Sequence, residues 1–385
     1  MTAFLKEHPN WWNPDLWLAW LMSPFRMGFL GVQLLFVLSG YCIHRNQAKA
    51  LAAGEDVRLN LGHYAFRRFF RIYPTYVAAL AFSGLILYAL IPWLVSLGYP
   101  MPTDHEKHSW YVLGMNLLTM QDILVPPYVD VFWSLSIEIH LYVVYPIVLW
   151  VTRRYGPAMM LKMTLAAAIL HMGVGYAGGN HAAVRQTLAF LHFMIYWFTW
   201  CIGAYIAEIQ FGRAKPIRMP QWAQWAIYGM CAAVGAGLSV VAKELGAQVG
   251  HGAEQGRLPL MAVGEVLMAV AIGGGLWLAL RPEMSRIWSS MVGRMLAFVG
   301  MFSFSLYAVH RPILVAFTVW WGGQSHSMLP PLLGCLCAIG IAYLFFHVVE
   351  RWTLMPPKGF LMTKKVPPTA VASVEPVLVK EKIGR

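Results

Sequence analysis

The sequence predicts an all-α protein, a polytopic transmembrane bundle of about nine helices. Three observations carry that reading. The 385 residues are 58% hydrophobic and only 12% charged, with a mean hydropathy of +0.56, far from the balance of a soluble globular domain. Apolar stretches long enough to cross a hydrocarbon core recur along the whole chain. The basic residues, finally, fall almost entirely in every second connection between those stretches.

Segments of about 17 to 25 mainly apolar residues lie at 28–44, 73–97, 131–152, 157–178, 187–211, 221–243, 258–281, 296–320 and 328–350. They are too long and too many for a removable leader, and no small-residue cleavage site follows the first. The stretch 109–120, "WYVLGMNLLTMQ", is too short to cross, and 11–23, "WWNPDLWLAWLMS", has the tryptophan density of an interfacial segment. Both are expected at the outer surface.

The net charge of +12 would suit nucleic acid, but in a polytopic protein basic residues gather in cytoplasmic loops. With the loop 45–72 inside, 22 of the 29 Lys and Arg share its side, seven of them in the tail from Arg351. This predicts an outside N-terminus, an inside C-terminus and no nucleic-acid partner. The chain then divides into an extracytoplasmic or interfacial segment, 1–27, a membrane domain, 28–355, and a cytoplasmic tail, 356–385, whose Lys, Pro and Val show no helical periodicity and read as disordered. Residues 1–27 have no preceding span to carry them across, so a further first helix is expected ahead of Met1. The five cysteines, Cys42, Cys201, Cys231, Cys335 and Cys337, all fall in apolar stretches and are odd in number, and are read as small buried hydrophobes with no metal site.

A charged side chain near the bilayer centre costs on the order of 3 kcal/mol or more, so ionisable groups inside spans mark function by default. In "VFWSLSIEIHLYVVYPIVLW", Ser134, Glu138, Tyr142 and Tyr145 are spaced i, i+4, i+8 and i+11 and share one helix face, while His140 points elsewhere. In "FSFSLYAVHRPIL", Ser303, Tyr307 and His310 fall at i, i+4 and i+7, with Arg311 beside them. At about 1.5 Å per residue, Glu138 and His310 lie roughly 10 and 15 Å inside the outer ends of their spans, which allows the two to meet. Taken singly, Glu138 reads equally well as a partner for an arginine, and a lone histidine as a hydrogen-bonded core residue.

Two further stretches are unusual. "GVQLLFVLSGYCIHR" keeps Gln33, Ser39 and Gly40 in a membrane helix, where small residues also serve close helix packing. "HYAFRRFFRIYP" sets Arg67, Arg68 and Arg71 just before Pro74, with Arg45 at the end of the previous span. Guanidinium groups bind phosphate by bidentate, charge-assisted hydrogen bonds, and positive-inside anchoring or attraction to anionic lipid explains such a loop as well.

Together and in this order, these stretches resemble the integral-membrane acyltransferase 3 family. "GVQLLFVLSGYCI", "RRFFRIYP", "FWSLSIEIHLYVVYP", "FSFSLYAVHRPIL" and "HVVERW" are similar to five family motifs over residues 31 to 351. The resemblance implies transfer of an acyl group, commonly acetyl, from cytoplasmic acyl-CoA to a hydroxyl of a cell-surface glycan or lipid-linked saccharide, in a bacterial cytoplasmic (inner) membrane, with no bound cofactor. It implies that Arg67, Arg68 and Arg71, with Arg45, hold the phosphates of the donor, and that Ser39 and Gly40 leave room for its pantetheine arm. Glu138, His310 and Tyr307 are then the catalytic candidates, and Trp133, Ser134 and Tyr142 line the substrate site. Family members usually begin with a helix carrying Arg-x10-His, and no arginine here has a histidine at that spacing. Two rivals stay open: a proton-coupled transporter or flippase, since intramembrane Glu and His also build proton relays, and a non-catalytic membrane subunit. Membrane lipids are partners in every case.

Overall fold

A computed structural model of the chain describes residues 28–99, 109–121, 123–178, 181, 184, 187–188, 190–216, 219–248, 254–321 and 329–354. Among these it is all helical, with one isolated bridge between Gln121 and Val125. In chain order the helices are α1 (Gly28–Ala52), α2 (Leu61–Leu85), α3 (Ile91–Ser96), α4 (Trp110–Leu117), α5 (Trp133–Tyr155), α6 (Pro157–Gly178), α7 (Phe193–Gln210), α8 (Gln221–Gln248), α9 (Glu254–Ala279), α10 (Ser285–Ser289), α11 (Met291–Met301), α12 (Ser303–Trp321), α13 (Leu329–Phe345) and α14 (Arg351–Thr353). The expected segments 1–27 and 356–385 lie outside the described residues.

Six helical stretches are by themselves long and apolar enough to span a membrane, and a seventh is formed if α11 and α12, bent by 73° at Phe302, count as one. The remaining two expected spans are α1 and α7. Both are helices at the expected places, and both carry polar and ionisable residues. They pack along each other at the centre of the bundle. A Cβ on Gly40 would stand 1.9 Å from the Trp200 carbonyl oxygen, and one on Gly203 1.9 Å from that of Val37. Small residues let two backbones touch here, as membrane helices use them elsewhere. The space over Gly40 is therefore filled by α7, which corrects the expectation that it leaves room for a pantetheine arm.

Several boundaries differ from those expected. The stretch 45–60 is no continuous loop, because α1 runs on to Ala52, and α2 begins at Leu61, capped by Asn60, whose side chain accepts from the His63 N–H at 3.0 Å. Arg45, Arg67, Arg68 and Arg71 are consequently helical. Pro74, which reads as the start of a span, sits inside α2 instead. α2 passes into α3 through a π turn at Ile86–Leu90. Pro92 lacks the N–H that would bond the carbonyl four residues back, and the Ile91 N–H bonds Ile86 five residues back. Of the cysteines only Cys201 is buried; Cys42, Cys335 and Cys337 are exposed on the helix surfaces, since an apolar residue in a bundle meets lipid as readily as core.

The segment 109–120 is not laid on a surface. Tyr76 Oη donates to the Asn116 carbonyl at 2.8 Å and Tyr73 Oη to that of Leu117 at 2.9 Å, while Ser136 Oγ donates to the Thr119 carbonyl at 2.8 Å. Asn116 itself is fully buried and takes the Tyr128 N–H at 2.8 Å. Tyr76 lies roughly 30 Å along the helix from Ser96 at 1.5 Å per residue, so the tip of α4 reaches well into the bundle. Non-helical backbone survives at such depth where protein groups satisfy it.

Candidate active site

The stripe on α5 is present as its spacing predicts. Tyr142 Oη donates to Glu138 Oε1 at 2.5 Å, Ser39 Oγ of α1 lies 3.2 Å from Tyr142 Oη, and Trp200 Nε1 of α7 donates to Ser39 Oγ at 3.3 Å. An indole N–H only donates, and an ionised carboxylate only accepts. With the carboxylate ionised, Tyr142 donates to Glu138, and Ser39, which takes the Trp200 N–H, turns its own proton towards Tyr142 or Glu138. Three helices thus aim a polarised chain of hydrogen bonds at one carboxylate. Trp200 is fully buried, whereas Glu138 is half-buried.

Around this carboxylate stand the arginines. The guanidinium of Arg68 lies 5.7 Å from the ring centres of both Tyr64 and Tyr142, and its buried Nε has no hydrogen-bond partner among the described residues. Arg68 and Arg71 are both within electrostatic reach of Glu138. Cys42 of α1 is in turn within reach of Arg45, Arg68 and Arg71. Ser39, Cys42 and Arg45 follow each other at i, i+3 and i+6, so this face of α1 leads from the relay to the exposed Arg45 over roughly 9 Å. Arg67 is exposed.

Arg71 is already engaged. Its Nη1 lies 3.0 Å from Glu350 Oε1, and Glu350 Oε2 accepts the Ser305 N–H at 3.0 Å and its hydroxyl at 2.6 Å. A π turn at Phe346–Glu350 delivers this fully buried carboxylate. On α12 the expected stripe is used unevenly. Tyr307 Oη donates to the Val131 carbonyl and takes the Ser134 hydroxyl in two short contacts, so its proton is spent on holding the start of α5. His310 Nδ1 lies 2.8 Å from the Tyr307 carbonyl. The neutral ring therefore donates from Nδ1 and keeps its lone pair on Nε2. Ser303 Oγ donates to the Gly300 carbonyl, and Arg311 pairs with Asp130 at 3.0 Å. Among the described residues no hydrogen bond joins Glu138 to His310. Trp133 packs beside Tyr196 of α7, with ring centres 5.4 Å apart, and His140, off the stripe, stacks on Phe193.

Sequence reasoning passed over a second ionisable centre. His44 Nε2 lies 2.6 Å from Glu208 Oε1 and its Nδ1 3.2 Å from Tyr145 Oη, all three fully buried. Arg213 stands 3.4 Å from the same Glu208 oxygen. Gln33 likewise meets Glu265 of α9 in a short contact. Glu208 and Glu265 both fall inside expected spans, and the cost of a carboxyl in lipid, the signal that picked out Glu138, would have found them too.

Apart from Glu350, the residues that carry this geometry lie within one domain match. A family model described as an acyltransferase domain, of acyltransferase type 3, covers residues 2–347. The chain belongs to the acyltransferase 3 family. Two curated relatives share part of it. A provisionally named peptidoglycan O-acetyltransferase of Bacillus subtilis, YrhL, is 24% identical over 172 residues, 41% of this chain and 26% of its own length. The peptidoglycan O-acetyltransferase OatA of Listeria monocytogenes is 24% identical over 147 residues, 37% of this chain and 23% of its own. The match spans about a quarter of each relative. No solved structure matches. In this acyltransferase 3 chain the motif residues Ser39, Arg68, Glu138 and Tyr142 come together, as do Arg71 and Glu350 from the "RRFFRIYP" and "HVVERW" stretches.

Proposed function

We propose that this chain is a membrane O-acyltransferase that moves an acyl group, acetyl first of all, from cytoplasmic acyl-CoA to a hydroxyl of a cell-surface glycan or lipid-linked saccharide. It would sit in a bacterial inner membrane with the loop after α1 and the tail inside. The observation that carries the reading is the relay from Trp200 through Ser39 and Tyr142 to Glu138, with Arg68 beside it. Acyl transfer from a thioester needs a base for the acceptor proton and positive charge or donors for the oxyanion. Glu138 takes the proton of the acceptor hydroxyl, the freed oxygen forms a bond to the thioester carbonyl, and the tetrahedral adduct expels the CoA thiolate. The relay holds the carboxylate in place beside Arg68.

The donor's phosphates and its thioester are separated by the whole pantetheine arm. Arg68, within electrostatic reach of Glu138, suits the thioester end, and the exposed Arg45 and Arg67 suit the phosphates. Arg71, paired with Glu350, steadies α2 rather than serving the donor. His310, with Nε2 free to accept, assists the acceptor side, and Tyr307 positions α5. The full chain in lipid nanodiscs, given labelled acetyl-CoA and a peptidoglycan fragment, should move label to the glycan; label that leaves CoA only as free acetate, with or without glycan, would remove the reading.

A further inference from the structure

At Phe302 the chain turns by 73° between α11 and α12, and acyl transfer gives the arm before this bend no role. α12 has 19 residues, roughly 28 Å of helix, by itself about the thickness of a hydrocarbon core. α11 has 11 residues, roughly 16 Å, too short to cross. With α12 upright, α11 therefore runs close to the membrane plane, its two ends differing in depth by roughly 5 Å. The elbow is pinned: Phe298 and the fully buried Phe302 each meet the Tyr343 ring of α13 at 5.5 Å. It lies at the same end of the bundle as the arginines of α2, because Ser305, just past the bend, shares Glu350 with Arg71.

The surface of this arm is divided in two. Met291, Val292, Met295 and Leu296 follow at i, i+1, i+4 and i+5, form one stripe and are all exposed. Arg294 falls on the other side of α11, and Arg286 is exposed on α10. Over residues 281–301 Glu283 is the sole acid, against Arg281, Arg286 and Arg294. Arg281 is held by Gln224 at 2.6 Å and lies over the Trp277 ring. Arg286 and Arg294 pair with no acid among the described residues. Trp288, exposed on α10, donates its Nε1–H to the Ala279 carbonyl at 2.8 Å and so ties the arm to the end of α9.

We propose that α10 and α11 form an in-plane element that docks on the membrane surface and holds anionic phospholipid, Arg286 and Arg294 on the phosphates and the apolar stripe among the upper acyl chains. The span read at 296–320 then begins at Ser303. A helix with an apolar stripe and basic residues on its other side settles at the headgroup boundary, tryptophan favours the same level, and a guanidinium grips a phosphate through paired hydrogen bonds. A second copy of this chain packed on the same stripe about a two-fold axis would set the arginines of both copies side by side, with Glu283 alone on each to offset them. Anionic headgroups meet the same arginines with opposite charge.

The test uses the full chain in nanodiscs of phosphatidylcholine and phosphatidylglycerol, independently of any acyl transfer. Met291, Met295 and Met301 are native reporters spread over roughly 15 Å of helix, and NMR of their labelled methyl groups, with spin labels at carbon 5 or carbon 16 of the lipid chains, reads their depths. All three should broaden with the shallow label and hardly with the deep one. Broadening that passes from shallow to deep label along the three would make α11 part of a span, and methyl contacts to a second, differently labelled copy would make the stripe a dimer interface; either overturns the proposal. Native mass spectrometry should show phosphatidylglycerol retained by the parent chain and by Arg286→Lys with Arg294→Lys. Retention should fall by about tenfold in Arg286→Gln with Arg294→Gln, each arginine near a charged surface contributing about fivefold, but not in Arg154→Gln. Equal retention in the double glutamine variant and the parent would remove the headgroup site.

Discussion

Glu350 Oε1 lies 3.0 Å from Arg71 Nη1 across 279 residues of sequence, and the other oxygen of the same carboxylate takes both donors of Ser305. One buried side chain thus joins α2, α12 and the end of α13. Glu350→Gln keeps an acceptor for Arg71 but turns an amide N–H2 towards the Ser305 N–H and hydroxyl. Breaking a buried pair by removing one partner costs about 3–5 kcal/mol, and Arg71 is 37% exposed, which lowers that to about 2 kcal/mol after screening. A clear drop in the thermal midpoint of the detergent-purified protein is expected; an unchanged midpoint would show that the carboxylate holds nothing.

The contact of α1 with α7 gives a second test. Gly40→Ala places a methyl within 1.9 Å of the Trp200 carbonyl, and Gly203→Ala one within 1.9 Å of the Val37 carbonyl, whereas a Cβ at Gly31 meets nothing within 4 Å. Overpacking costs typically about 1–3 kcal/mol, and here backbone must move because no flexible side chain yields. Both variants should lose stability and, by displacing Ser39 from Trp200, activity as well. Gly31→Ala is the control, and equal midpoints for all three would contradict the close approach.

These two features mark what the sequence discloses and what it does not. The face shared by Ser134, Glu138, Tyr142 and Tyr145 was legible, because helical spacing alone puts residues four apart in contact, and Tyr142 indeed bonds Glu138. The tie between Ser134 and Tyr307, and the pairings of His44 with Glu208 and Arg71 with Glu350, join distant stretches and leave no local spacing to read. Periodicity also ran through Phe302, where the chain turns by 73° between two helices of equal apolarity. Pro74 drew the start of α2 too late, since a proline is tolerated inside a membrane helix whose freed backbone group finds another partner. The tip of α4 was misplaced because its burial depends on Tyr73, Tyr76 and Ser136, polar groups supplied by other helices.

The arginines of α2 should separate kinetically. Replacement by lysine keeps the charge and loses the bidentate fork. Arg67→Lys should raise the KM for acetyl-CoA several-fold with kcat little changed, as expected for loss of binding shared by ground and transition states. Arg68→Lys should lower kcat at saturating donor, since its guanidinium lies beside Tyr142 and within reach of Glu138. If Arg68→Lys changes only the KM for the donor, Arg68 belongs with the phosphates and the assignment to the thioester end is wrong.

Glu138 is the residue on which the mechanism depends. It ends a row of donors from three helices, remains half-buried beside Arg68, and sits one turn from the Ser134–Tyr307 contact. Glu138→Gln preserves size and still accepts from Tyr142, so the fold and the relay geometry should persist, with an unchanged thermal midpoint. What it loses is the basic oxygen. General base catalysis contributes typically about 100- to 10,000-fold, and the turnover of acetyl-CoA with glycan should fall by at least the lower figure, with donor affinity held within about twofold. Tyr142→Phe offers a graded companion: it removes the donor that positions the carboxylate but not the carboxylate itself, and should cost less than Glu138→Gln. If Glu138→Gln transfers acetyl at the parental rate, the carboxylate serves only to anchor Tyr142. A Tyr142→Phe defect larger than that of Glu138→Gln would move the proton-accepting role away from Glu138 and leave His310, whose Nε2 carries the free lone pair, as the base.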